Sequence, residues 1–170
     1  NRDYFMQWLI SEIKIHKLKA ELNGNFFAVR LNCTSDININ DFNFEGKNIC
    51  EIFPDTVFYD YTKVYSHLDN VEKYSNYSMT YSYNGSNWGL CQKALDRGFN
   101  IAAVFAKRLP RTFHGYRVIN GDISDYRPAD EKGVIVGLRY KMESNAIKEG
   151  KFELPHNKFI TMPDNEFCEW

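Results

Sequence analysis

The sequence has no closely spaced cysteines. Cys33, Cys50, Cys91 and Cys168 lie far apart and form no C-x-x-C pair, which excludes a zinc knuckle or a dithiol redox motif of the usual spacing. It has no hydrophobic leader and no run of about 18 apolar residues, the length a membrane-crossing helix requires. The expectation is therefore a soluble, cytoplasmic protein with reduced thiols. Three glycosylation sequons, at Asn32, Asn76 and Asn84, point the other way, but a chain this rich in Asn produces such matches by chance. An excess of one charge is also missing: 21 Lys and Arg balance 22 Asp and Glu. That argues against an extended phosphate-binding face and leaves room for small local ones. The H-E-x-x-H, G-x-S-x-G and G-x-x-x-x-G-K-[ST] patterns are absent. His16, His67, His114 and His156 stand isolated. The chain opens at Asn1 rather than Met, which suggests a processed or trimmed N-terminus.

What is present is apolar and aromatic. Of 170 residues, 44% are hydrophobic, with 13 Phe and 11 Tyr, enough for the core of one domain spanning 1–170. Most of those rings are expected in that core. The chain is organised around residues 26–63, which hold two apolar runs, Phe26–Asn32 and Val57–Lys63, each turning polar at its C-terminal end. Short apolar runs without strict alternation suit strands covered on both faces, as in a parallel sheet. The expected fold is α/β: a curved, mostly parallel sheet with outer helices, resembling part of a barrel.

An amphipathic helix is expected over residues 3–20, with Phe5, Leu9 and Ile13 at spacing four and Trp8 and Ile10 widening the stripe. Asn23-Gly24-Asn25 ends it. Residues 47–53 allow about two helical turns before Pro54. Further elements are expected as a short helix at 64–72, a strand at 77–81, a helix at 88–97 capped by Ser86 or Asn87 and stopped at Gly98, and a strand at 101–105. The last three make a βαβ unit. A basic connection, Lys107-Arg108-Leu109-Pro110-Arg111, leads to strands at 116–119 and 134–140. The tail, 151–170, reads as an irregular cover placing Phe152, Phe159, Ile160 and Phe167 on the body.

Parallel strands bring their C-terminal ends to one edge, where ligands bind in folds of this kind. The candidate ligand-binding residues are therefore Arg30, Asn32, Asp36, Asp60, Lys63, Ser82, Asp122, Asp125 and Arg127. Arg30 and Lys63 suit a phosphate or carboxylate. The competing reading makes them neutralise Asp36 and Asp60 in a structural network. Asp122, Asp125 and Asp130 offer the oxygen ligands a hard cation takes, without EF-hand spacing; loop turns and pairing with Arg127 explain them equally. Cys33 is a nucleophile in one reading and a buried structural cysteine in the other. Lys107, Arg108 and Arg111 with Phe113 and His114 combine the residue types that grip single-stranded nucleic acid, or form a solvated surface.

Five blocks in order resemble an uncharacterised family of tailed phages and their prophages, the gene-product-88-like group. They are Arg30-Leu31-Asn32-Cys33-Thr34-Ser35-Asp36-Ile37, residues 53–55 with Phe58-Tyr59-Asp60-Tyr61-Thr62-Lys63, residues 100–105, residues 118–122 and residues 133–138. The first two are the specific ones, and the resemblance covers roughly residues 3–141. It implies a phage protein of unestablished activity. It also implies that longer members carry a cysteine-rich N-terminal segment reminiscent of the cluster loop of radical-SAM-like partial barrels. This sequence has no equivalent cysteine group, so the resemblance implies no cofactor in this chain and an iron–sulfur cluster only in a longer form. Tyr81-Ser82-Tyr83-Asn84-Gly85 stands where many relatives have a Ser-Arg-Ser-Glu-like stretch.

Three functions follow as expectations. The first is an enzyme or enzyme remnant holding a small anionic ligand at the strand-end cleft. The second is a non-catalytic binding module for a host or phage macromolecule, such as a counter-defence inhibitor, with Trp88 or Trp170 in an exposed aromatic patch. The third is a nucleic-acid-associated factor using the loop near Arg108.

Overall fold

A computed structural model describes residues 1–106, 108–140 and 160–161. The fold is mixed α/β with a mostly parallel sheet. The chain divides into two compact units, Asn1–Met79 and Thr80–Trp170. The division falls inside a strand, not at a linker.

The first unit begins with helix α1 (Arg2–Leu22), its N-terminus capped by the Asn1 side chain, which accepts from the Asp3 N–H at 3.1 Å. At its other end the Gly24 N–H bonds Glu21 O and the Asn25 N–H bonds Ala20 O, the paired bonds of a Schellman motif. Met6, Ile10 and Ile13 are its buried residues. The expected inner stripe was Phe5, Leu9 and Ile13, so the helix is turned from it, and Phe5 and Trp8 face solvent. Apolar residues occur on more than one side of this helix, and periodicity alone does not choose between them.

Strand β1 (Ala28–Val29) is shorter than the run Phe26–Asn32, because the chain leaves the sheet at Arg30. A 3-10 turn, Ile39–Asp41, precedes the hairpin of β2 (Asn43–Phe44) and β3 (Lys47–Asn48), which the sequence reading missed. Its two-residue turn, Glu45 and Gly46, has positive φ at both positions, as a hairpin's right-handed twist requires. Helix α2 (Ile49–Ile52) is a single turn rather than two, with Asn48 and Glu51 in a capping box. Strand β4 (Val57–Thr62) pairs parallel with β1. Its burial alternates along its length, so it is not covered equally on both faces. The expected short helix is a 3-10 helix, Tyr65–Lys73. Strand β5 (Tyr77–Ser82) follows, and the strand order here is β1-β4-β5.

In the second unit, β5 continues into helix α3 (Trp88–Asp96) and strand β6 (Asn100–Phe105), the expected parallel βαβ unit. Gly98 ends α3, its N–H bonding Leu95 O, while the Phe99 N–H bonds Ala94 O. Strands β7 (Thr112–Phe113) and β8 (Tyr116–Asn120) form an antiparallel hairpin, and β9 (Ile135–Arg139) inserts between β6 and β8, parallel to both. The order is β5-β6-β9-β8-β7, with β10 (Ile160–Thr161) parallel to β6. Tyr81, Ile101, Phe105, Val118, Ile135 and Val136 are almost fully buried, which is why these apolar runs were readable as strands. Apart from β10, the expected cover at 151–170 lies outside the described residues. Among the described residues the strand order has two ends, β1 and β7, and does not close into a barrel. No described helix is long and apolar enough to cross a membrane.

Candidate functional site

In the first unit, the parallel pairing of β1 and β4 brings Arg30–Asn32 and Asp60–Lys63 to the same end of the two strands. Asp60 points to the buried side of β4 and is 1% exposed. Its Oδ1 accepts from the Asn32 N–H at 2.8 Å, and its Oδ2 from Asn32 Nδ2 at 3.2 Å and the Tyr77 hydroxyl at 3.4 Å. Asn32 in turn closes the following loop on itself. Its Oδ1 accepts from Ser35 Oγ and the Ile37 N–H, and its Nδ2 donates to Ile37 O. Asp36, carried by that loop, accepts from Thr62 Oγ1 and the Lys63 N–H, both at 2.7 Å, and lies 3.3 Å from His67 Nδ1.

The donors holding Asp60 are neutral, so burial is not offset by a close cation. Burial pushes its carboxyl up to about 6, against the lowering effects of the Asn32 and Tyr77 hydrogen bonds and the charge of Arg30. The Tyr77 phenol is raised, first by its own burial and then by Asp60. Arg30 is exposed, its guanidinium 4.5 Å from the centre of the Tyr61 ring. Such stacking fixes its direction while leaving the N–H edges to solvent. Amides and hydroxyls meet the oxygens of both acids, Asp36 and Asp60. Lys63 takes part through its backbone N–H.

Cys33, expected buried if structural, is exposed. Cys50 and Cys91 are buried free thiols pushed up to about 12 by burial, which leaves little thiolate near neutral pH.

In the second unit, the parallel strands β5, β6, β9 and β8 end at Ser82, Phe105, Arg139 and Asn120. Ser82 is buried, and its carbonyl accepts from Asn87 Nδ2 at 3.0 Å. Asp122 accepts from the Arg139 N–H and from Arg139 Nε at 2.8 Å. Arg127, 4% exposed, donates to Gly121 O at 3.2 Å, and its Nη1 pairs with Asp130 Oδ2 at 3.2 Å by charge, without the alignment of a hydrogen bond. A Cβ on Gly121 would stand 2.5 Å from Val136 and 2.8 Å from Arg127 Nη1, so this buried guanidinium requires glycine there. Burial raises the Asp130 carboxyl, while Arg127 and Lys132 pull it down. Asp125 is exposed. Two of the three loop carboxylates are thus engaged by arginines. Among the described residues no group of three or more His, Cys, Asp or Glu stands together as metal ligands do.

An aromatic group forms beside these strand ends. His114 stacks on Trp88 with centroids 3.9 Å apart, and Phe113 and Tyr83 meet Trp88 edge-on at 5.7 and 6.1 Å. The β7–β8 turn, His114-Gly115, presents the imidazole with positive φ at both residues. Arg108 and Arg111 are exposed; Lys107 lies outside the described residues.

Of the nine candidate residues, Arg30, Asn32, Asp36, Asp60 and Lys63 meet in the first unit, while Ser82, Asp122, Asp125 and Arg127 belong to the second. The sequence reading missed Thr62, His67 and Tyr77 as partners of the acids, and Arg139 as the partner of Asp122. Thr62 sits inside the Phe58–Lys63 block, but His67 and Tyr77 carry no local signal.

A family model described as Gene product 88 matches residues 1–154. No curated protein and no solved structure matches the chain.

Proposed function

Because this chain belongs to the gene product 88 family of phage proteins, we propose that it is a phage- or prophage-encoded protein of the host cytoplasm that holds a small phosphorylated or carboxylated ligand. The ligand sits where β1 and β4 end. Arg30 grips the anion, Lys63 adds a second positive charge, and the loop from Asn32 to Ile37 forms a rigid floor. The observation that carries this reading is the exposed Arg30 guanidinium held over Tyr61, beside acids whose oxygens are already met by Asn32, Tyr77, Thr62 and Lys63. A guanidinium oriented in advance and not consumed by its neighbours suits a bidentate anion. Asp60 is buried beneath the floor and has a structural part. The reading involves no cofactor in these 170 residues; an iron–sulfur cluster enters only with a longer form.

The test is thermal unfolding with phosphate, sugar phosphates and dicarboxylates. A ligand at about 100 times its Kd stabilises by about 2.7 kcal/mol, a readily measured rise in Tm that Arg30→Ala should abolish without changing the Tm of the free protein. Equal stabilisation of wild type and Arg30→Ala would remove this site and favour the non-catalytic binding module.

A second reading, a nucleic-acid-associated factor, is favoured by the Trp88–His114 stack with Arg108 and Arg111 nearby in sequence, since aromatic faces and cations together hold single strands. It requires oligonucleotide binding that weakens steeply with salt and is lost in Trp88→Ala.

A further inference from the structure

Helix α1 exposes large apolar side chains in a repeat of its own. Tyr4, Trp8, Ile15, Leu18 and Leu22 are 74, 56, 47, 57 and 79% exposed, and with Ser11 they fall alternately four and three residues apart. That is the spacing of a heptad seam, distinct from the buried side carrying Met6, Ile10 and Ile13. At about 1.5 Å per residue, 21 residues make a rod about 30 Å long. An apolar stripe of this length on a helix that already has a core face marks an interaction surface.

The charges beside the stripe select its occupant. Glu12 and Lys19 flank it on one side, and Lys14 and Glu21 on the other. Two parallel copies in register would set Lys14 against the partner's Lys19, like against like. An antiparallel pair centred on Ile13 would face Glu12 with the partner's Glu12 and Lys14 with the partner's Lys14. Shifting that pair by one heptad places Ile15 against the partner's Leu18 and Leu22 against the partner's Ser11. Glu12 then meets the partner's Lys19, and Lys14 meets the partner's Glu21, so all four flanking charges find opposites on both sides of the seam. Trp8 comes level with the partner's Asn25. We infer that α1 is the dimerisation element of this protein, pairing antiparallel with α1 of a second copy in this staggered register.

The experiment is sedimentation equilibrium of the 170-residue chain over a concentration series, with circular dichroism to establish that each variant is folded. Wild type should show a concentration-dependent dimer. Leu18→Glu, at an exposed position, should weaken it by tenfold or more, a change of about 1.4 kcal/mol. Glu12→Lys and Lys19→Glu should each weaken it, and the double variant should restore it. A monomer at every concentration, a dimer indifferent to Leu18→Glu, or one strengthened by Lys19→Glu alone, as parallel helices demand, would each overturn the inference.

Discussion

Two acids, the buried Asp60 in the first unit and the half-buried Asp130 in the second, are held in opposite ways. Asp60 is met by an amide N–H, a side-chain amide and a phenol, all neutral. Asp130 is met by the Arg127 guanidinium, itself 4% exposed. Neutral donors satisfy lone pairs but leave the charge uncompensated; a cation compensates the charge but brings its own desolvation. The second arrangement should therefore suffer more from loss of one partner. Arg127→Ala leaves the half-buried Asp130 without its cation and Gly121 O without its donor, at an expected cost of about 3 kcal/mol in urea unfolding. Replacing both partners with apolar groups, Arg127→Met with Asp130→Leu, should recover most of that loss. A single substitution costing no more than a surface change would break the contrast.

Asp60→Ala comes next. It strips an acceptor from Asn32 and Tyr77, which stay buried, and should cost about 2–3 kcal/mol by the same measurement. The pH dependence sharpens the comparison. A carboxyl raised in the fold from its ordinary 3.8 to about 6 binds its proton more tightly folded than unfolded. Its contribution is greatest below pH 3.8 and falls as pH rises through about 6. At 1.36 kcal/mol per unit the whole loss is about 3 kcal/mol. Asp60→Asn cannot titrate, so the difference between wild-type and Asp60→Asn unfolding free energies should slope between about pH 4 and 6 and flatten above. A difference independent of pH would mean that the neutral donors suffice to keep the acid ordinary.

The legible parts of this molecule are those with a local cause. The β5–α3–β6 unit was readable because its apolar runs are buried almost throughout and Gly98 marks the helix end. Polar strand ends were readable as Arg30–Asn32 and Asp60–Lys63, because a chain leaving a sheet must change character there. The inner face of α1 was not, since Phe5 and Trp8 are as apolar as Met6 and Ile10, and only packing separates them. Nor were the partners: Asp60 with Tyr77 and Asp36 with His67 are joined by tertiary structure. The hairpin turns at Glu45-Gly46 and His114-Gly115 left a usable trace in their glycines, which serve positions of positive φ.

The smallest effect belongs to a pair whose geometry is better than that of Arg127 with Asp130. Arg139 Nε donates to Asp122 at 2.8 Å and its backbone N–H to the same oxygen, yet the Arg139 side chain is 52% exposed. Water already solvates the guanidinium, and salt screens what attraction remains. Arg139→Ala should therefore cost about 0.5 kcal/mol, and less at high salt, because the backbone N–H of residue 139 still meets Asp122. A loss near that of Arg127→Ala would show that hydrogen-bond geometry, rather than burial, sets the strength of these carboxylate contacts. The distinction drawn between Asp60 and Asp130 would then fail with it.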